Sequence, residues 1–347
     1  MKTLFLRIGI ALIFIAALAS NARAANCPNV GYRVLTLPSG LKTAIWYPTT
    51  DAESAFEYQP GLSGSVALNG AISNCSQVPL VIFSHGLYGC GLQSVFYTEE
   101  LARQGYVVAA PDHEDALVCS VDGTGSFNFS LIADSFDTLT AFLFPWSWTD
   151  QTYIDRKNDV ETLIDYLLSS ADFAPGIDAS RIGISGHSLG GYTALGVAGG
   201  WPSWKDKRIG AALAFSPYGS PFSVDNTLKD IEVPVMYQGA PLDILTPNLL
   251  GSNGAYALSN DPKYLAILNS GTHVIWTNLV CAGYSTIASC LQKVADAQAI
   301  DNYGIDFFNQ YLLGSSESLL SGNGTGLSLY EYTGSAAPII HRPRFWW

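Results

Sequence analysis

Gly186-His187-Ser188-Leu189-Gly190, followed at once by Gly191, is the stretch of this chain best suited to nucleophilic chemistry. It fits the pattern G-x-S-x-G. It also sits directly after the apolar run Arg181 to Ser185 and directly before a segment with helical spacing, Leu189 to about Gly199. A chain that reverses within so few residues forces the serine into a strained backbone region, and the flanking glycines remove side chains that would collide with the neighbouring strand and helix. The hydroxyl then stands at a helix N-terminus, where free N–H groups and the dipole favour developing negative charge. Ser188 is the expected nucleophile. A glycine-rich strand-to-helix turn without chemistry is the bland alternative.

A serine hydroxyl needs a base near neutral pH. The chain has five histidines. His85 and His113 follow early strands, and His341 lies in the tail. His187 neighbours the serine, and the elbow's geometry is expected to aim it elsewhere. His273, in Gly271-Thr272-His273 after a late apolar run, satisfies the chain order serine, acid, histidine. The acid should then lie between them at the carboxyl end of a strand. Asp243 does so in Gly239-Ala-Pro-Leu-Asp243, whereas Asp225 and Asp230 precede that strand and read as loop residues. Its work would be to hold the imidazole tautomer and stabilise the imidazolium. Two backbone N–H groups should receive the oxyanion. Leu189, next after the nucleophile, is one, and Leu87, in Ser84-His85-Gly86-Leu87, is the expected other.

The elements that must position these groups are legible as alternating patterns. Tyr32 to Thr36 and Thr43 to Tyr47, separated by Pro38-Ser39-Gly40, read as an opening antiparallel hairpin. Asp51 to Gln77 is polar and Gly-rich and reads as loop. Pro79 to Phe83 and Tyr106 to Ala110 are short, fully apolar runs, as expected of strands buried on both faces. Helical spacing follows at Ser94 to Gln104 and Lys157 to Ser169. Further strands are expected at Ala211 to Phe215, Val233 to Tyr237 and, as the last, Lys263 to Leu268. A long helix near Ala295 to Leu312 closes the pattern. Such alternation implies an α/β fold, a mostly parallel central sheet with helices on both faces. Residues 25–347 read as a single domain with no linker or repeat. The stretch from about 113 to 155 reads as an insertion or lid over the site, with ordinary core helix as the alternative. Residues 314–347 read as a loosely packed tail.

Residues 1–24 read as a signal peptide: Lys2 and Arg7 flank the start, Ile8 to Leu18 is nearly all apolar, and Ala22-Arg23-Ala24 supplies the small-x-small cleavage pattern. The apolar core falls short of the roughly 20 residues a membrane span needs. A secreted or periplasmic chain without a stable membrane anchor is therefore expected, and a monomer. The formal net charge is −12, and removal of Lys2, Arg7 and Arg23 leaves the remainder more acidic still. Such a surface argues against nucleic acid as a partner. Cys27, Cys75, Cys90, Cys119, Cys281 and Cys290 all follow the cleavage site, an even set that suits disulfides in an exported chain. Fifteen connectivities are open to six cysteines. Proximity favours Cys281–Cys290 and then Cys90–Cys119, which leaves Cys27–Cys75. Free buried thiols are the alternative. No pair has zinc spacing, and neither metal nor cofactor is expected.

Trp46-Tyr47-Pro48, Val81-Ile-Phe-Ser-His-Gly-Leu87, Gly105-Tyr-Val-Val-Ala-Ala110 and Gly186-His-Ser-Leu-Gly-Gly191 together resemble the platelet-activating-factor acetylhydrolase and dienelactone-hydrolase-like group of α/β-hydrolases. The likeness covers much of residues 46–313. It implies the α/β-hydrolase fold and hydrolysis of small-molecule, lipid or polymer esters without metal or cofactor. Two departures stand out. Dienelactone hydrolases carry a cysteine nucleophile where this chain has Ser188. Platelet-activating-factor acetylhydrolases place the acid one strand earlier, where this chain has Ala214 and Phe215. The later Asp243 looks more like cutinase-type polyester hydrolases. Phospholipid acyl hydrolysis, amide hydrolysis and a non-catalytic binding protein on the same fold are the alternatives. Of Trp146, Trp148, Trp201, Trp204, Tyr88 and Trp276, all able to line an aromatic pocket, Tyr88 and Trp276 stand beside the expected catalytic loops and are the best candidates.

Overall fold

The computed structural model describes residues 27–334 apart from 73–75, 124–139, 247–248, 317–318 and 323. The leader, Cys75, His341 and much of the expected lid lie outside these. A single sheet carries the strands β1 (Asn29–Thr36), β2 (Lys42–Thr49), β3 (Ser54–Gln59), β4 (Leu62–Leu68), β5 (Val78–Ser84), β6 (Val107–Pro111), β7 (Ile177–His187), β8 (Ile209–Phe215), β9 (Val235–Gly239), β10 (Lys263–Leu268) and β11 (Leu327–Thr333). Their spatial order is β11-β10-β9-β8-β7-β5-β6-β2-β1-β4-β3. From β10 across to β6 every neighbouring pair is parallel. The β1–β2 hairpin joins β6 through an antiparallel β2.

Period-two alternation builds a core on each face of this sheet. In β5, Val81 and Phe83 point into one apolar cluster, while Leu80 and Ile82 point into the other. The first face is covered by helices α1 (Val95–Arg103) and α4 (Ala295–Phe308), through Phe96, Tyr97, Leu101, Ile300, Tyr303 and Phe307. The second is covered by α2 (Ile154–Ser169) and α3 (Leu189–Leu195), through Val160, Leu163, Ile164, Leu167 and Leu189. Strands buried on both sides explain the near-continuous apolar runs of β5 and β6.

Two expectations need correction. The stretch expected as loop between Asp51 and Gln77 contains the β3–β4 hairpin, turning at Pro60-Gly61. Tyr58 packs inward against Tyr32 while Glu57 and Gln59 face out, so the alternation is real but carried by few apolar residues. The expected last strand is followed by another. β11 pairs antiparallel with β10, so this part of the tail is an edge strand rather than loosely packed chain. Cys90–Cys119 and Cys281–Cys290 are both disulfides. Cys27 is disulfide-bonded as well, and its expected partner Cys75 is outside the described residues. Among the described residues, no helix is long and apolar enough to cross a membrane.

The strand order reverses at β5. The chain leaves β5 for β6 on one side and returns with β7 on the other. The carboxyl ends of β5 and β7 therefore flank a crevice at a topological switch point, the place where open α/β sheets bind ligands.

Candidate active site

Ser188 stands at that crevice, between the end of β7 and the start of α3. Its backbone has φ 56° and ψ −115°, a conformation that non-glycine residues rarely adopt. The neighbours enforce it. A Cβ at Gly190 would strike the carbonyl of Ser84, one at Gly186 would strike Gly190, and one at Gly191 would strike the ring of Pro217. Hydrogen bonds close the bend: Ser188 N–H donates to Phe215 O at 2.9 Å, and Ser188 O accepts from the N–H groups of Tyr192 and Tyr218.

His273 and Asp243 reach this serine from later loops. Ser188 Oγ lies 2.8 Å from His273 Nε2, and His273 Nδ1 lies 2.9 Å from Asp243 Oδ2. The loops that carry them are tied together where Leu242 N–H donates to Gly271 O at 3.1 Å. Asp243 is surrounded by donors. Its Oδ1 accepts from the N–H groups of Leu245 and Thr246, and its Oδ2 accepts from Thr246 Oγ1 at 2.7 Å and from Ser216 Oγ. Burial pushes this carboxyl up, but hydrogen bonds from His273, Ser216 and Thr246 outweigh it and hold the group well below the usual carboxylate range. The acid is thus fixed in its ionised form. Asp225 and Asp230 lie on α-helical and 3-10 segments before β9, outside this line.

The loop after β5 comes up beside the serine, with Gly86 so near that a Cβ there would touch Ser188 Cβ at 3.4 Å. The N–H groups along it are nearly all taken. Gly86 donates to Gln93 Oε1 at 2.9 Å, Tyr88 to Asp115 Oδ2 at 3.3 Å and Gly89 to Gly86 O at 3.0 Å. Leu87 N–H is the one in this run with no acceptor among the described residues. Leu189 N–H, at the first position of α3, is one of the donors a helix leaves open.

The loop rests on a buried cation. Arg156 of α2 donates through Nε and Nη2 to Asp115, at 3.0 and 2.7 Å, and through Nη1 to His85 O at 2.7 Å. Burial raises the Asp115 carboxyl, and the guanidinium more than reverses this, to about 2. Neither Arg156 nor Asp115 has a pattern in the sequence that would have singled it out.

The aromatic candidates divide. Trp276 is only 1% exposed and stacks on His187 with its indole N–H toward Gln238 Oε1, so it backs the site from within the core and does not line an open pocket. The His187 ring lies between the two, 4.8 Å from the His273 ring and 5.9 Å from that of Trp276. Trp148, Trp201 and Trp204 are buried in the second core cluster, and Trp146 is exposed. Tyr88 is half-buried beside Leu87, in the left-handed region at φ 63°, with its phenol oxygen buried. In keeping with the expectation, His187 has no hydrogen bond to Ser188 Oγ among the described residues; its Nε2 donates to the backbone carbonyl of His273 at 2.7 Å. Among the described residues, no group of three or more His, Cys, Asp or Glu side chains is arranged to hold a metal ion.

The family model for platelet-activating factor acetylhydrolase, isoform II, matches residues 39–122. The chain is 29% identical over 196 residues to cutinase est1 of Thermobifida alba, covering 54% of this chain and 60% of that protein. It is 26% identical over 193 residues to the platelet-activating factor acetylhydrolase of Cavia porcellus, covering 47% and 41% of the two chains. The chain thus matches less than two thirds of the length of these curated relatives. Its structure is similar to that of a ferulic acid esterase from Streptomyces cinnamoneus, with a TM-score of 0.60 at 20% identity over 85% of this chain and 93% of the other. Strand order, elbow and this structural likeness agree: the chain has the α/β-hydrolase fold.

Proposed function

We propose that the protein is an exported carboxylic ester hydrolase that works through an acyl-enzyme on Ser188. The observation that carries this reading is the unbroken line from Asp243 through His273 to the strained hydroxyl of Ser188. In the reaction, His273 Nε2 takes the hydroxyl proton as Ser188 Oγ attacks the ester carbonyl. Asp243, held ionised by its donors, stabilises the imidazolium. The carbonyl oxygen becomes an oxyanion facing Leu87 N–H and Leu189 N–H, and loss of one such donor typically costs about 10²–10³ in turnover. His273 then returns the proton to the leaving alcohol, and water repeats the sequence to free the acid.

Apolar residues adjoin this line in the sequence. Leu242, Ile244 and Leu245 flank Asp243, Val274 follows His273, and all four are exposed, Ile244 by 83%. Apolar residues so exposed among the described residues suit a hydrophobic ester and favour the polymer-facing substrate suggested by the cutinase likeness over a deep acyl pocket. The family-model match over residues 39–122 is the observation on the side of a phospholipid acyl ester. Disulfides and the leader-like residues 1–24 support export to an oxidising compartment.

Fluorophosphonate labelling of the whole protein tests the assignment. The wild type should label, and Ser188→Ala should not; equal labelling of the two would sink the reading. Rates on nitrophenyl esters of rising acyl length then separate an open cleft, where they change little, from a closed short-acyl pocket, where they collapse.

A further inference from the structure

Four residues from three separate stretches of the chain meet in one polar line across the elbow. Gly86 N–H donates to Gln93 Oε1 at 2.9 Å. Gln93 Nε2 lies 3.1 Å from His187 Nδ1, and His187 Nε2 lies 2.7 Å from the carbonyl oxygen of His273. The direction of every bond is fixed by its ends. An amide N–H can only donate, so the Gln93 oxygen faces Gly86 and its NH₂ faces His187. A carbonyl oxygen can only accept, so His187 carries its proton on Nε2 and accepts on Nδ1. The ring is buried, 4.8 Å from that of His273, and stacks on Trp276.

We propose that Gln93 and His187 are a positioning pair, a strap that sets the distance between the oxyanion loop and the base loop across the nucleophile's elbow. It rests on the ester-hydrolase reading above. That chemistry must grip the carbonyl oxygen on one side of Ser188 and shuttle a proton on the other, so the two loops need a fixed separation. The strap's ends lie at the required places: Gly86 precedes the expected oxyanion donor Leu87, and His273 is the expected base. Its midpoint is anchored too. Gln93 O accepts from Asn278 N–H at 2.8 Å, and Ser94 Oγ donates to Trp276 O at 2.6 Å. Burial and the neighbouring His273 lower the His187 pKa to about 3, so the required neutral tautomer persists through the working range of such an enzyme. A protonated ring would turn an N–H toward the Gln93 NH₂ and break the line.

The test is a double-mutant cycle in the full-length protein: Gln93→Ala, His187→Ala and both, with turnover on a short nitrophenyl ester. Each single change should lower kcat about 10- to 100-fold while KM moves by less than about 2-fold, because misplacing reacting groups by about 1 Å costs rate more than binding. The double variant should be no worse than the poorer single, the mark of two residues acting as one unit. His187→Gln, which keeps a donor toward His273 O without titrating, should recover most of the lost kcat. Unchanged kcat in both single variants, or losses that simply multiply, would overturn the pair. Ring-nitrogen NMR of wild-type His187 gives a second reading independent of variant folding. A neutral Nε2–H tautomer from pH 5 to 8 is expected, and an Nδ1–H tautomer or titration near 6.5 would overturn it. Fluorophosphonate labelling run alongside keeps the two ideas apart: if wild type fails to label at Ser188, the ester-hydrolase reading itself has fallen, whatever the tautomer.

Discussion

Ser84, His113 and Asp159 form the same hydrogen-bonded line, serine to imidazole to carboxylate, as Ser188, His273 and Asp243, though in a different order along the chain. The first set has Oγ to Nε2 at 2.8 Å and Nδ1 to Oδ2 at 2.8 Å, and the second has 2.8 and 2.9 Å. Distances alone cannot say which is reactive. Their surroundings can. Ser84 ends β5 fully buried, and its Oγ also accepts from Arg156 Nη1 at 3.3 Å. Ser188 sits beyond its strand, on a strained bend before a helix. Burial and the adjacent guanidinium drive the His113 pKa well below the usual histidine range, which disfavours the protonated ring. A base must become a cation for a moment, and His113 has a cation beside it already. His273 faces a carboxylate held ionised by three further donor residues, Leu245, Thr246 and Ser216, instead. A Ser–His–Asp line becomes chemistry only where charge can develop and substrate can arrive.

The largest effect expected from this contrast is in turnover. Ser188→Ala should remove on the order of 10⁴-fold or more of kcat, since loss of a serine nucleophile disables the whole unit. Ser84→Ala should leave kcat within about 3-fold, measured on the same nitrophenyl ester. A comparable loss in both would erase the distinction drawn above.

Next in size is stability. The buried line shares Ser84 with Arg156, whose guanidinium is completed by Asp115 and by the carbonyl of His85. Arg156→Met leaves the Asp115 carboxylate unpaired in the interior, and breaking such a pair costs about 3–5 kcal/mol. The midpoint of urea unfolding should fall accordingly. Restoring neutrality with Asp115→Asn in the same chain should return part of the loss. An Arg156→Met protein as stable as wild type would mean that the guanidinium does not support the loop after β5.

How far these two lines could be read beforehand differs sharply. Ser188, Asp243 and His273 were legible because each obeys a local rule: a glycine-flanked bend after an apolar strand, and two residues just beyond later strands in a fixed order. The parallel core was legible for a similar reason, since strands buried on both faces leave unbroken apolar runs such as Pro79 to Phe83. The edges were not. β3 and β11 expose one face and mix polar with aromatic residues, so their alternation is faint. The Arg156 network and the Gln93–His187 line escape sequence reading altogether, because residues 86, 93, 115, 156, 187 and 273 share no spacing and meet only through the crossing of strands at β5. Trp276 misled for the converse reason: nearness in sequence to His273 says nothing about whether a ring will face the cleft or the core.

The smallest effect, and the one most specific to the buried line, lies in pH dependence. Burial raises the Asp159 carboxyl to about 6 against the pull of Arg156. An unfolded aspartate titrates near 4. Between about pH 4 and 6 the folded protein therefore holds more of this proton than the unfolded chain. By linkage, the group's contribution to stability falls as pH rises through that window and stays low above it. Asparagine carries no such proton. The difference in Tm, Asp159→Asn minus wild type, should become more positive from pH 4 to pH 7, and the slopes due to Asp115 and Asp243 cancel because both proteins share them. Over the same range kcat should stay within about 2-fold of wild type. A Tm difference that is flat, or that falls with pH, would show Asp159 ionised in the folded protein like its counterpart Asp243, and the contrast between the two acids would be gone.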